Sequence, residues 1–340
     1  MTSDEDTSTD VQAIIAERDM LREKLEERTK VLRKIAVFDR DFLIAHGSMS
    51  QRERYHKLAR RIKADIFRQR RILGERFVQE HAEHIDPTVA DFDLKAHGGY
   101  QQLDLSHHPL VKDVVRESLD AFEKSGGANA ERLSKGSLQY IGSSNKLFGS
   151  DSAIYKLAVS PEILVPVTRY FGLLPILTGY GLTYAPNEEY LRKSSQRLHF
   201  DPEDRTQIKV FVYITDVDAD SGPFMAAPAP HSAHLFNQHD FILDRQDDSV
   251  VAEGKIHPAL GPAGTVIFCD TCQCLHAGAR QASKSRIMLS IEYNLPSYLW
   301  APLCDGDGEL RDRMKAITEM PEDEIMAAVL GRSLVTPPPG

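Results

Sequence analysis

The sequence predicts an α+β fold, and three observations carry the prediction. In the first half of the 340-residue chain, apolar residues recur at helical spacing. From Ile176 onward, short runs of β-branched and aromatic residues alternate with turns. No internal repeat interrupts this order of helices first and strands after.

Composition narrows the class. With 41% hydrophobic and 27% charged residues the chain has enough apolar side chains for a sizeable core. A net charge of −9 argues against nucleic acid as a partner. No apolar run reaches the length of a membrane span, and no charged-then-apolar leader is visible, so neither a transmembrane segment nor a secretory signal is expected. Of the four cysteines three crowd into Cys269-Asp-Thr-Cys272-Gln-Cys274, which suits a reducing compartment better than a disulfide framework. A cytoplasmic protein is the expectation.

Residues Met1–Asp10 are polar and acidic and read as a disordered tail. From Val11 to Ala45, Val11, Ile14, Leu21, Leu25, Leu32, Ile35 and Phe42 form a coiled-coil-like seam, which Arg18, Arg28 and Asp39 interrupt. The interruptions favour a hairpin with the next helix over a long free-standing coiled coil. That helix is expected from about Ser50 to His81, with Tyr55, Leu58, Ile62, Ile66, Leu73 and Phe77 as its inward ridge. Its other face carries Arg52, Arg54, Lys57, Arg60, Arg61, Lys63, Arg68, Arg70, Arg71 and Arg76 and reads as a solvated stripe, with docking to an acidic partner or membrane as the alternative. The domain plan is therefore a tail (1–10), a helical hairpin for homodimerisation or docking (11–85) and a main domain (86–340). In the main domain a helix starts at Pro109, with Val111, Val114, Val115, Leu119 and Phe122 inward, and Ser125-Gly126-Gly127 ends it. Another runs from Ser160 to Phe171, closed by Gly172. Strands follow over Ile176–Tyr184, Val210–Ile214, Gly264–Asp270 and Ile287–Tyr293. Asp216–Gly222 resembles a calcium loop, but its sixth and twelfth positions are Ser221 and Ala227, so it reads as a hairpin turn.

The chemistry concentrates in Gln196–Pro230. His199 and Asp201 stand two positions apart, and in extended backbone such side chains leave the same face. An imidazole and a carboxylate converging on one point make up two thirds of a 2-His-1-carboxylate set. Some 75 residues later His276 follows a strand, and Arg286 opens the next one. Together the four residues form a far more specific pattern than a lone His-x-Asp. His231, His234 and His239 are a second histidine cluster, read as a Pro-rich loop at the surface or substrate rim. The three clustered cysteines read as buried free thiols, because alternate residues of one strand do not surround a tetrahedral ion.

The segments LHFDPEDRTQIKVFVYITDVDADSGPF and GTVIFCDTCQCLHAGARQASKSR resemble the phytanoyl-CoA dioxygenase family of Fe(II)/2-oxoglutarate oxygenases, over roughly Ser144 to Ser297. The resemblance implies a double-stranded β-helix (jelly-roll or cupin-like) core with supporting helices. It implies that His199, Asp201 and His276 ligate Fe(II), that Arg286 binds the far carboxylate of 2-oxoglutarate, and that Thr183 contacts this cosubstrate. Phe211 takes a place where the family often has a pocket-lining aromatic. Arg205, close behind the ligands, is a candidate for substrate contact at the pocket mouth, with Lys209 beside it. Two positions depart from the family: Pro228-Ala-Pro-His231 replaces Pro-Gly-Ser-His, and Gly278 replaces a hydroxyl residue. The implied reaction consumes O2 and 2-oxoglutarate, releases succinate and CO2, and hydroxylates a small-molecule or carrier- or glycan-linked substrate. Asp201 argues against halogenation, because related halogenases carry a small residue there. The alternative reading is a catalytically silent β-helix binding module presented by the helical hairpin.

Overall fold

The computed structural model describes Met20 and residues 49–131, 134–135, 138–143, 149–186, 194–238, 255–278, 283–297 and 323–331. Two helices come first, α1 (Met49–Ile62) and α2 (Ala64–His81), joined through a break at Lys63. A short α3 (Pro87–Ala90) leads to β1 (Tyr100–Asp104) and α4 (Pro109–Lys124). The hairpin β2 (Ser134–Lys135) and β3 (Leu138–Ser143) precedes α5 (Ala153–Ala158) and α6 (Pro161–Phe171). The remaining elements are β4 (Ile176–Ala185), β5 (Ile208–Tyr213), β6 (Met225–Ala227), α7 (Ala229–Gln238), β7 (His257–Pro258), β8 (Thr265–Asp270), β9 (Leu275–Ala277), β10 (Arg286–Asn294) and α8 (Glu324–Val329).

Local chemistry places the ends. Pro109 and Pro161 open α4 and α6, where a missing N–H costs nothing. Gly172 closes α6 at φ 69°, a conformation side chains with a Cβ resist. Leu119, expected to face inward on α4, is instead exposed, and Ser118 takes the buried position.

The strands form two antiparallel sheets, one ordered β1-β8-β5-β10-β4-β3-β2 and the other β7-β6-β9, which an isolated bridge at His199 extends. From β4 onward the chain alternates between them: β4, the His199 bridge, β5, then β6 and β7, then β8, β9 and β10. This winding is a double-stranded β-helix. Period-2 alternation divides the large sheet into two faces. Val210, Val212, Val266, Phe268, Leu289 and Ile291 pack outward against helices in the main core. Phe211, Tyr213, Ile267, Cys269 and Met288 face inward with Phe224.

The expected ridge of the second helix is corrected by the structure. Leu58 and Ile62 are exposed, whereas His56, Ala59, Lys63 and Arg70 are buried with Tyr55, Leu73 and Phe77. Two members of the stripe expected in solvent are thus interior, and both meet carbonyls. Lys63 Nζ donates to Pro296 O at 2.8 Å. Arg70 donates to Leu174 O (3.2 Å), Pro175 O (3.1 Å) and Ala328 O (2.6 Å). A buried cation is tolerated when its N–H groups are satisfied. Arg54, Lys57, Arg61, Arg68, Arg71 and Arg76 remain exposed. Helices α1 and α2 belong to the compact unit that begins at His46. Apart from Met20, residues 1–45 and the features expected there lie outside the described residues. Residues 229–238, expected as a loop, form α7, with Pro230 in its first turn. His231 on it is exposed, and His239 lies outside the described residues. Among the described residues no helix is long and apolar enough to cross a membrane.

Arg70→Ala should lower stability by about 3 kcal/mol or more, since it strands buried carbonyls and removes packing. Arg71→Ala should change it by less than about 0.5 kcal/mol. Urea midpoints of the two variants check the contrast.

Candidate metal centre

The site begins with a backbone pairing. His199 N–H donates to His276 O and His276 N–H to His199 O, each at 3.0 Å, so the two residues sit directly opposite each other. Side chains of such a pair leave the same face, and the two rings lie 4.2 Å apart between centroids. Each ring is oriented by its own chain: His199 Nδ1 donates to Arg197 O at 2.8 Å and His276 Nδ1 to Cys274 O at 3.0 Å. Because a carbonyl only accepts, both Nδ1 atoms carry the proton and both Nε2 atoms are the basic nitrogens. These point at Asp201: His199 Nε2 lies 3.6 Å from Oδ1 and His276 Nε2 lies 3.8 Å from Oδ2. One ligand atom from each of the three residues falls within 4.8 Å of the others. Asp201 is held in place by its own N–H, which donates to Thr271 O at 2.8 Å.

Two buried carboxyl groups outside this set brace the segments that carry it. Asp270, at the end of β8, accepts from Tyr170 (2.8 Å), Thr206 (2.5 Å) and the N–H groups of Gln207, Cys272 and Gln273 (each 3.2 Å). It therefore ties the turn leading to His276 to the stretch following Asp201. Burial pushes its pKa up to about 6. Asp204 accepts from Arg205 N–H at 2.6 Å and from the Ser297 hydroxyl at 3.0 Å, and His56 Nδ1 of α1 lies 3.2 Å away. Here α1, the loop that follows Asp201 and the residues after β10 meet.

On the inward face of the large sheet, Arg286 opens β10. It is 1% exposed, donates to Gly222 O at 2.6 Å and lies over the Tyr213 ring at 6.0 Å. Its Nε has no hydrogen-bond partner among the described residues, nor is any carboxylate among them paired with it. Burial draws its pKa down, Tyr213 offsets this in part, and an arginine stays charged regardless. A Cβ added at Gly278 would come no nearer to the guanidinium than 3.7 Å, so there is room beside it. Thr183 stands two residues along from Ala185, the cross-strand partner of Arg286, and its hydroxyl donates to Met288 O at 3.2 Å. Phe211 stacks on Phe224 at 4.6 Å, which in turn lies 5.7 Å from the His276 ring. Phe211, Thr183 and Arg286 thus share the sheet face that looks toward the two histidines. Arg205 does not join them: it is exposed, and its charge acts on Glu53 of α1.

Lys209 belongs to the site, although the sequence assigns it no role there. Its Nζ lies 2.9 Å from Asp201 Oδ2 and 3.3 Å from Glu292 Oε1. The signal that marks it is the alternation Lys209-x-Phe211-x-Tyr213, which places all three on one face. Burial works to raise the pKa of Asp201, but the Lys209 ammonium and then the two imidazoles outweigh it and hold the carboxyl well below its usual range. Burial likewise pushes Glu203 up to about 7, with the Asp201 charge adding to the effect. Cys269, Cys272 and Cys274 are free and buried, as expected, and burial raises the thiols of Cys269 and Cys272 well above their usual pKa.

Two basic imidazole nitrogens and one ionised carboxylate, each oriented by a second contact, fit a first-row divalent metal with open positions. The buried guanidinium, with no carboxylate paired to it among the described residues and space beside it, fits a carboxylate ligand. Fold and site therefore define a double-stranded β-helix protein with a 2-His-1-carboxylate centre. No family model matches the chain, and no curated protein matches it. Solved structures similar to it include the non-heme alpha ketoglutarate dependent carbocyclase SnoK from nogalamycin biosynthesis, at 17% identity and TM-score 0.40, covering 62% of this chain and 85% of that one. EctD from S. alaskensis with 2-oxoglutarate and 5-hydroxyectoine is 16% identical with TM-score 0.44, over 64% of this chain and 80% of that one. HygX from Streptomyces hygroscopicus with nickel and 2-oxoglutarate is 14% identical with TM-score 0.40, over 59% and 84%.

Asp204 supplies a pH test. Burial raises its folded pKa from 3.8 to about 7, so the folded state holds its proton more tightly than the unfolded chain does. Its contribution to stability is fully present below the unfolded value and is lost as pH rises through about 7. The stability of the native chain relative to Asp204→Asn should fall by roughly 1–4 kcal/mol over that window. A difference that stays flat with pH in urea titrations contradicts it.

Proposed function

We propose that this chain is an Fe(II)/2-oxoglutarate-dependent dioxygenase that hydroxylates a C–H bond of a small-molecule or carrier- or glycan-linked substrate, as its resemblance to the phytanoyl-CoA dioxygenase family implies. The observation that carries the reading is a pair of facing sheets, the small one carrying the two histidines of an oriented His199–Asp201–His276 set and the large one a buried Arg286 with no carboxylate paired to it among the described residues. When bound, Fe(II) with 2-oxoglutarate and O2 supplies the oxidising chemistry, with succinate and CO2 released and a hydroxyl group placed on the substrate.

The residues divide the work. His199, Asp201 and His276 hold the metal and, being three, leave coordination positions open. Arg286 takes the far carboxylate of 2-oxoglutarate, for which a fixed fork is better suited than a flexible ammonium. Thr183, whose hydroxyl donates to Met288 O, contacts the same ligand and donates to it by turning that hydroxyl away from the carbonyl. Phe211 and Phe224 form an apolar wall beside His276 and exclude water from that side. Asp201 keeps a carboxylate where chloride would need a vacancy, which supports hydroxylation.

Purified chain supplied with Fe(II) and 2-oxoglutarate should release succinate, and His199→Ala or Asp201→Ala should abolish it. Arg286→Gln should raise the KM for 2-oxoglutarate by about 100-fold, the scale of a lost buried ion pair. Undiminished succinate release in His199→Ala would sink the proposal, and a chain that takes up no metal would favour the silent binding module.

A further inference from the structure

Lys209 is a charged side chain at this site to which the proposed chemistry assigns no task. It stands in the middle of the large sheet, directly opposite Cys269 of β8 and Glu292 of β10. Its ammonium reaches Asp201 Oδ2 at 2.9 Å, the oxygen that also lies 3.8 Å from His276 Nε2, while Oδ1 of the same carboxylate lies 3.6 Å from His199 Nε2. Glu292 Oε1 holds the ammonium from a second direction at 3.3 Å. Lys209 is thus anchored independently of Asp201, and its side chain is largely buried at 17% exposure.

A lysine here works against metal affinity, because a fixed cation repels a second cation a few ångströms away. What it gives in return must be geometric. A carboxylate binds a metal through one oxygen or both. If both oxygens of Asp201 bound, one of the positions that a facial three-atom set leaves open would be filled. An ammonium 2.9 Å from Oδ2 opposes that mode, since this oxygen would have to leave a close ion pair.

We propose that Lys209 is a positioning residue of the metal centre, whose ammonium holds Asp201 Oδ2 so that the carboxylate offers Oδ1 alone and a place stays open for the cosubstrate. This rests on the reading of His199, Asp201 and His276 as metal ligands. It goes beyond that reading by assigning Lys209 to the geometry of the centre, with Glu292 as its anchor.

The test uses Co(II) as the probe, in the full chain and without turnover. Visible absorption gives the Co(II) affinity and, from band position and intensity, the coordination number, and 2-oxoglutarate is then titrated into the Co(II)-loaded protein. In Lys209→Met, Co(II) should bind at least as tightly as in the native chain, with bands shifted toward higher coordination. 2-Oxoglutarate should bind tenfold or more weakly in that variant. Lys209→Arg, which keeps a cation at the carboxylate, should restore both readouts. Native bands and native 2-oxoglutarate affinity in Lys209→Met overturn the proposal, as does an equal loss in Lys209→Met and Lys209→Arg. If the methionine variant does not fold, Lys209→Gln takes its place with the same expectations. A native chain that binds no Co(II) overturns the metal-site reading itself, and Lys209's role with it. A native chain that binds Co(II) normally while Lys209→Met is unchanged defeats only the role given to Lys209.

Discussion

The reciprocal backbone pair between His199 and His276 is the constraint on which the site depends. Two hydrogen bonds of 3.0 Å place residues 77 positions apart in register, and that register sends both imidazoles to one side. A slip of one residue would turn one ring to the opposite face. Contacts on both sides hold the segments that make this pairing. Asp270 gathers donors from both flanking segments, and the carbonyls of Arg197 and Cys274 set the ring orientations.

Charge is arranged with equal economy. Inside the barrel, Asp201 and Glu292 are balanced by Lys209, whereas Arg286 is balanced by nothing among the described residues. A paired buried charge is stable, and an unpaired one points to a ligand that completes it. The two cations thus differ in their surroundings, one held between carboxylates and the other without one among the described residues. Outside the barrel, Lys63 and Arg70 follow a third pattern in which carbonyls, not carboxylates, satisfy the charge.

Much of the site is legible in the sequence, for identifiable reasons. Strand alternation dictates which side chains share a face, so the convergence of His199 and Asp201 follows from their spacing alone, and Arg286 opens a strand as expected. The family resemblance supplies the roles that spacing does not. What stays hidden depends on distant partners. Lys63 and Arg70 look like members of a solvated stripe because their acceptors lie 104 to 258 residues away. Asp270 sits among Cys269, Cys272 and Cys274, and nothing local distinguishes it, because the donors it gathers include Tyr170, 100 residues away. Lys209 is expected near the pocket mouth, yet its period-2 relation to Phe211 carries it farther in, to Asp201. Arg205, expected at the pocket mouth, is exposed, and its charge acts on Glu53 of α1.

The central claim is that the His199–Asp201–His276 set and Arg286 form one site, although different strands carry them. Anaerobic calorimetric titration of 2-oxoglutarate into the chain, with and without Fe(II), measures that directly. If the two halves hold opposite ends of one ligand, 2-oxoglutarate should bind once per chain and at least tenfold more tightly with the metal present, and by linkage it should tighten Fe(II) by the same factor. Equal affinity with and without Fe(II) would mean that the two halves do not act on the same molecule, and the account would fail.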